Sequence, residues 1–393
     1  MTDFAGGLDR AEGVAVQPDG RIVAAGVFRN SLGKDYFGVA RYGGGGALDG
    51  SFSADGKQIT AFGGESAEAR GVALQPDGKV VVAGITQGAS STTLNFAVAR
   101  YTSTGALDST FSGDGKQTTD FAGDLDEAET VALQADGKIV VAGRTRQSGS
   151  FNFAVARYTS AGALDTTFSG DGKQRTDFDG FNDVTQGLGL QADGKIVAVG
   201  GVRNSIGSNF GIARYNANGG LDQTFSSDGR QKTDFAGAFD AAASVALQPD
   251  GRMVVAGRAA TAGGNDNFAL ARYNTNGGID ETLSGDGKQT TDFIGGDSAH
   301  GVALQADGRI IAAGTAQSGS AGSANFGVAR YTAGGALDST FSGNGRAMTD
   351  FAGGSDAGLS VALQPNGAIV VAGGASTGSP PNGNFGIARY LGG

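Results

Sequence analysis

Cysteine and tryptophan are absent from this 393-residue chain, histidine occurs once and proline six times. Without cysteine there are no disulfides, no thiolate nucleophile and no Cys-ligated zinc or iron–sulfur centre. The single histidine, His300, excludes multi-His metal sites and leaves room for at most one His-based catalytic arrangement. Long apolar runs are missing too, and none approaches the roughly 18 residues a transmembrane helix needs. Basic residues are in the minority, 29 Lys and Arg against 39 Asp and Glu, for a net charge of −10. That balance repels phosphate backbones and anionic membranes, so no nucleic-acid partner is expected. No signal peptide is visible, because Met1 is followed at once by Thr2-Asp3-Phe4, a piece of the repeat described below. The expectation is a cytosolic protein or one separated from its leader.

Glycine is what the chain has in excess, 72 residues. With little proline and no Gly at every third position, this is not collagen. Hydrophobic residues still make up 39 % and come in short bursts, enough to bury a core. Two landmarks recur. Gln-x-Asp/Asn-Gly begins at Gln17, Gln75, Gln134, Gln191, Gln248, Gln305 and Gln364, at intervals of 57 to 59 residues. Ala-Arg-Tyr keeps the same period, with Arg41, Arg100, Arg157, Arg214, Arg272, Arg330 and Arg389. Two independent markers repeated seven times define a tandem array.

Each period reads as four short strands, with no apolar period of 3.6 to suggest a helix. In the second period they are Gly71 to Gln75, Lys79 to Gly84, Asn95 to Tyr101 and Lys116 to Phe121, the first two joined by an Asp-Gly turn. Bulky and small residues alternate, as in Phe96 and Val98 against Ala97 and Ala99, so each sheet can pack large face into small face on a copy of itself. Such units stacked about an axis make a β-propeller. The last period stops after its third strand, and Thr2-Asp3-Phe4-Ala5-Gly6 repeats the sequence of Thr119 to Gly123. The expectation is an all-β, closed seven-bladed propeller, four antiparallel strands per blade, with the N-terminal strand completing the last blade and leaving no free edge. Residues 1–393 then form one domain with blades at 13–62, 71–121, 130–178, 187–235, 244–293, 301–351 and 360–390 plus 1–4.

The runs Val72 to Gly84, Phe96 to Tyr101 and Leu107 to Lys116 resemble the delta-60 repeat, and the likeness extends over all seven periods. The resemblance implies a propeller and an extracellular or cell-surface bacterial protein. It brings no catalytic motif. Without tryptophan the chain is not similar to WD-repeat propellers.

Residues present in every blade are read as architecture. The seven Arg are expected to pair with the Asp after Leu, at Asp49, Asp108, Asp165, Asp222, Asp280 and Asp338. Turn chemistry explains Gln-x-Asp-Gly. Departures from the repeat point to function. The turns at one end of the blades are nearly identical. The other end carries variable two-to-three segments, such as Val27 to Tyr36, Arg144 to Asn152, Arg258 to Asn267 and Gly374 to Asn384, and the inter-blade connections. Five residues before each landmark Gln stand Glu12, Arg70, Glu129, Gln186, Ala243, His300 and Leu359, expected near the mouth of the central channel. Arg29, Arg144, Arg146 and Arg203 lie in the variable loops, and Phe181 and Phe239 in the connections offer rings for sugar faces. A ligand is therefore expected off-centre toward blades one to four, an acidic sugar or acidic protein patch.

No metal or cofactor is expected. The acidic sets Asp108 with Asp114, and Asp9, Asp126, Asp183, Asp240, Asp297 and Asp356, lack the close spacing of a calcium loop. The expected role is non-catalytic binding of a glycan or protein by a monomer. The alternatives are a polysaccharide hydrolase or lyase using rim carboxylates such as Glu12 and Glu129, and a purely structural surface module.

Overall fold

The computed structural model describes residues 1–393 except 5–6, 64–65, 89–92, 122–124, 236–238, 262, 319–322, 352, 377–382 and 393. Part of the N-terminal match, Ala5 and Gly6, and part of the Gly374 to Asn384 segment thus lie outside the described residues. The described residues form 27 strands and no helix. Six sheets have four antiparallel strands in sequence order, and the seventh has three. Blade two is representative, with strands Ala67–Leu74, Val80–Gln87, Leu94–Tyr101 and Lys116–Thr119 from the axis outward. The innermost strand begins four residues before the expected Gly71, and the outermost stops at Thr119.

Local chemistry sets the hairpins. The Gly78 N–H donates to the Gln75 carbonyl at 2.9 Å, the Gln75 N–H to the Lys79 carbonyl at 2.9 Å, and Asp77 accepts from the Lys79 N–H at 3.2 Å. Gly78 sits at φ +83°, a conformation costly for any residue with a Cβ.

The core is seven buried clusters, one between each pair of adjacent blades. The cluster joining blades seven and one contains Val370, Ala372 and Phe385 against Ala11, Ile22, Ala24 and Phe28. The ring is therefore closed by apolar burial like that between consecutive blades.

Polar ladders repeat around it. Arg100 pairs with Asp108 at 2.8 Å, lies 4.9 Å above the Phe111 ring, and donates to the Ser160 carbonyl of the next blade. The other Arg reach forward in the same way, and Arg389 of blade seven donates to the Gly44 carbonyl of blade one at 3.1 Å. The expected pairing with the Asp after Leu (after Ile279 in blade five) is found in blades one to six. A second ladder runs backward, each Tyr after this Arg bonding the outer-strand Thr of the preceding blade, as Tyr101 does Thr60 at 2.8 Å.

At the seam, Thr2 holds the place of that Thr. It exchanges both backbone hydrogen bonds with Phe385, at 2.9 and 3.0 Å, and receives the Tyr42 hydroxyl at 2.9 Å. Phe96 pairs with Thr119 in the same register in blade two. Phe4 packs against Phe385 with tilted rings, centroids 4.9 Å apart, as Phe121 does against Phe96. The expected fourth strand of the last blade is thus one antiparallel pair, Thr2 with Phe385, rather than a four-residue strand.

Candidate functional site

Every innermost strand contains one extra residue. In blade two Ala69 pairs with Gly84 and Gly71 with Ala83, leaving Arg70 between them as a β-bulge. The same bulge falls on Glu12, Glu129, Gln186, Ala243, His300 and Leu359. A bulge re-aims the side chain it carries. It also needs space opposite, and there the second strand always supplies glycine: Gly26, Gly84, Gly143, Gly200, Gly257, Gly314 and Gly373. A Cβ on Gly84 would lie inside the van der Waals surface of the Glu68 carbonyl oxygen. This position, which differs in nearly every blade, is therefore an interior bulge of the strand, held open by one of the repeat's most regular glycines. All seven bulge residues line one axial cavity of about 220 Å³.

The two halves of this ring differ. On blades one to three the charges meet one another. Arg70 contacts Glu129, and lies 3.3 Å from Glu127 and 3.6 Å from Glu68. Arg144 is 2.8 Å from Glu127 with its guanidinium 4.6 Å above the Phe151 ring, and Arg10 is 2.5 Å from Glu12. Burial pushes the Glu129 carboxyl up to about 7, against the pull of Arg70 and Arg144 and with help from Glu127 and Glu12. It also raises Glu12, against Arg10. Burial works against the Arg70 charge, and Glu129, Glu127, Glu68 and Glu12 outweigh it, leaving its pKa above the ordinary value. Sequence reasoning missed Arg10, Glu68 and Glu127. Their signal was a second variable position two residues before the bulge, occupied on the remaining blades by Val184, Ala241, Ser298 and Ala357.

On the other side the groups are small or uncharged. A hollow of about 430 Å³ opens from the channel between blades five and six. Gln186, Ala243 and His300 border both spaces. Its wall continues through Ala241, Ser298, Thr315 and the Arg258–Asp266 ion pair at 2.8 Å. Burial, and after it the Arg258 charge, lowers His300 to about 4, so its imidazole is neutral at physiological pH.

The remaining candidates are dispersed over the variable end. Arg29 is held bidentately by Asp35 at 2.6 and 2.8 Å. Arg146 is half-buried, whereas Arg203 is exposed. Phe181 and Phe239 are 42 % and 52 % exposed, on the connections either side of blade four. The Arg203 N–H donates to the Asn182 carbonyl and the Asp240 N–H to the Ser208 carbonyl, which brings both connections against that blade's variable loop, with Ile206 exposed at its tip. The recurrent Asp set is internal: Asp126 accepts from the Phe121 N–H at 2.6 Å, and Asp9, Asp183, Asp240, Asp297 and Asp356 from the matching Phe. Among the described residues no three acidic or His side chains gather as metal ligands would.

Six segments, residues 17–52, 75–111, 134–168, 191–225, 248–283 and 305–341, match a known family, the domain of unknown function (DUF5122) beta-propeller. No curated protein matches the chain. Among solved structures, the polysaccharide lyase Uly1 is similar with a TM-score of 0.53 at 12 % identity, over 97 % of this chain and 90 % of that one. An ulvan lyase of polysaccharide lyase family PL25, bound to -[GlcA(1-4)Rha3S]-, gives 0.52 at 12 % identity over 99 % and 95 %. A protein of unknown function from Dyadobacter fermentans gives 0.50 at 10 % identity over 98 % and 96 %. At these identities the likeness is one of fold.

Proposed function

We propose that this chain, which belongs to the DUF5122 beta-propeller family, is a non-catalytic binding module that presents its variable end to a glycan or protein partner. One observation carries the reading: the two ends of the blades obey different rules. At the constant end each blade repeats the same turn and the same Arg ladder, and these polar groups are taken up by neighbouring blades. At the variable end the bulge residue differs in nearly every blade, and exposed Phe181, Arg203, Ile206 and Phe239 surround blade four. A ring of seven equivalent surroundings offers one specific site only where the equivalence is broken. In this reading the protein acts as one monomeric seven-bladed unit, without metal or cofactor, outside the cytoplasm or at the cell surface.

Arrays of glycans and cell-envelope proteins test it. The expected outcome is a ligand whose binding weakens on substitutions at the variable end and is unchanged by Lys79→Ala with Lys138→Ala at the constant end. Loss on that constant-end pair alone would contradict the assignment.

One observation favours a second reading, the hydrolase or lyase. Glu129 faces the channel with its pKa near 7, where a carboxyl serves as a general acid. Polysaccharide turnover abolished by Glu129→Gln would establish it.

A further inference from the structure

Four side chains at the channel mouth have no hydrogen-bond partner among the described residues: Gln186, Ser298, His300 and Thr315. They come from two blades, four and six, and border one hollow. This contrasts with blades one to three, where each charged group on the channel meets an opposite charge. Polar groups in a concave site that the fold leaves unpaired are the ones that fix a ligand.

Their chemistry narrows the class. The amide, the two hydroxyls and the neutral imidazole each offer both a donor and an acceptor. The one charged pair on the wall, Arg258 with Asp266, neutralises itself. Asp297 also lines the hollow, but its carboxylate is engaged by the Phe293 and Gln317 N–H groups at 2.6 and 3.0 Å. Among the described residues no Phe or Tyr lines the hollow, and His300 is its one ring, so there is no broad apolar platform for a nucleobase or an aromatic peptide side chain. Ala241, Ala243 and Gly296 keep it open. Its volume of about 430 Å³ lies within the range of small-molecule sites.

We infer that this hollow binds an uncharged, hydroxyl-rich unit, a neutral sugar residue, through Gln186, Ser298, His300 and Thr315. The inference rests on the binding reading above and places the ligand across blades four to six rather than on the charged half of the ring. It departs from the acidic-ligand expectation, two of whose arginines, Arg29 and Arg144, already hold Asp35 and Glu127.

The experiment is calorimetric titration of the full chain with two oligosaccharide panels, one of neutral hexose and pentose units and one of uronates. His300→Ala removes a ligand contact. Ala243→Leu fills the hollow with the residue that blade seven already carries at its bulge, Leu359, so folding is expected to survive and is checked by thermal melting. The expected result is binding of a neutral sugar, unchanged between about 50 and about 500 mM salt. Each variant should weaken it by about tenfold or more. Binding of uronates alone, with salt dependence, would overturn the inference. So would neutral-sugar binding that both variants leave intact; if Phe181→Ala then abolishes it, the variable-end reading stands while this site falls. Binding by neither panel would also overturn it, and a protein captured through the variable end would leave the broader reading in place.

Discussion

Val202 sets Asp183 apart from its counterpart in the preceding blade. In blade three the residue paired with Asp126 is Thr145, whose hydroxyl donates to the carboxylate at 2.5 Å. In blade four the residue paired with Asp183 is Val202, and the buried Oδ1 of Asp183 receives no such hydroxyl. Burial, joined by the nearby charges of Asp177 and Asp179 and opposed by the Phe178 N–H, pushes Asp183 up to about 7. Its folded pKa thus exceeds its unfolded value. Between about pH 4 and pH 7 the folded state holds a proton that the unfolded state releases, so this group favours folding at low pH and loses that contribution as pH rises through 7. Val202→Thr should supply the missing hydroxyl. Thermal melts should show stabilisation of about 1 kcal/mol at pH 8 and less at pH 5, where the carboxyl is already protonated. A lower melting temperature at both pH values would mean that the hydroxyl finds no acceptor.

The bulge is the element that converts the repeat into a site, and its two sides should respond oppositely to substitution. In blade seven, Leu359 occupies the bulge and Gly373 lies opposite, where a Cβ would run into the Ala357 carbonyl. Leu359→Gln should shift stability by less than about 1 kcal/mol, because the side chain projects into the channel. Gly373→Ala should cost about 3 kcal/mol or more, since backbone must move to admit it. Chemical denaturation of the two variants compares them directly, and equal costs would contradict the bulge as the reason for the glycine. Both signals stand in the sequence, a glycine after every Val-Ala or its equivalent and a variable residue five before every Gln. Their connection does not, because an extra residue in a strand leaves alternation disturbed only locally. The innermost strand consequently reads as starting at Gly71 instead of Ala67. The pairing of Arg70 with Glu127 and Glu129 was equally hidden, since the partners are 57 and 59 residues apart and meet only through blade stacking.

For the whole molecule, the seven-fold period and its all-β character were legible because two unrelated landmarks, Gln-x-Asp-Gly and Ala-Arg-Tyr, stay in phase from end to end. The match of Thr2-Asp3-Phe4 to the outer-strand sequence also marked the seam, where Thr2 meets Phe385 and Tyr42, and Phe4 meets Phe385 and Phe28. Removing residues 1–4 should destabilise the ring by about 3 kcal/mol or more through the buried Phe4 ring. Thr2→Ala alone should cost about 1 kcal/mol through the Tyr42 hydroxyl. Unchanged melting of the truncated chain would show that the seam holds without the N-terminal segment. The location of the hollow was not legible, because it depends on which side chains are consumed by neighbours and which are left unpaired. The most direct measurement of the account is hydrogen–deuterium exchange of the full chain with and without saturating neutral oligosaccharide. The prediction is protection confined to the variable end, over residues 183–190, 241–247, 258–266 and 296–304, with the Gln-x-Asp-Gly turns unchanged. Protection at those turns, around residues 75–79 and 134–138, with none at the variable end would contradict it.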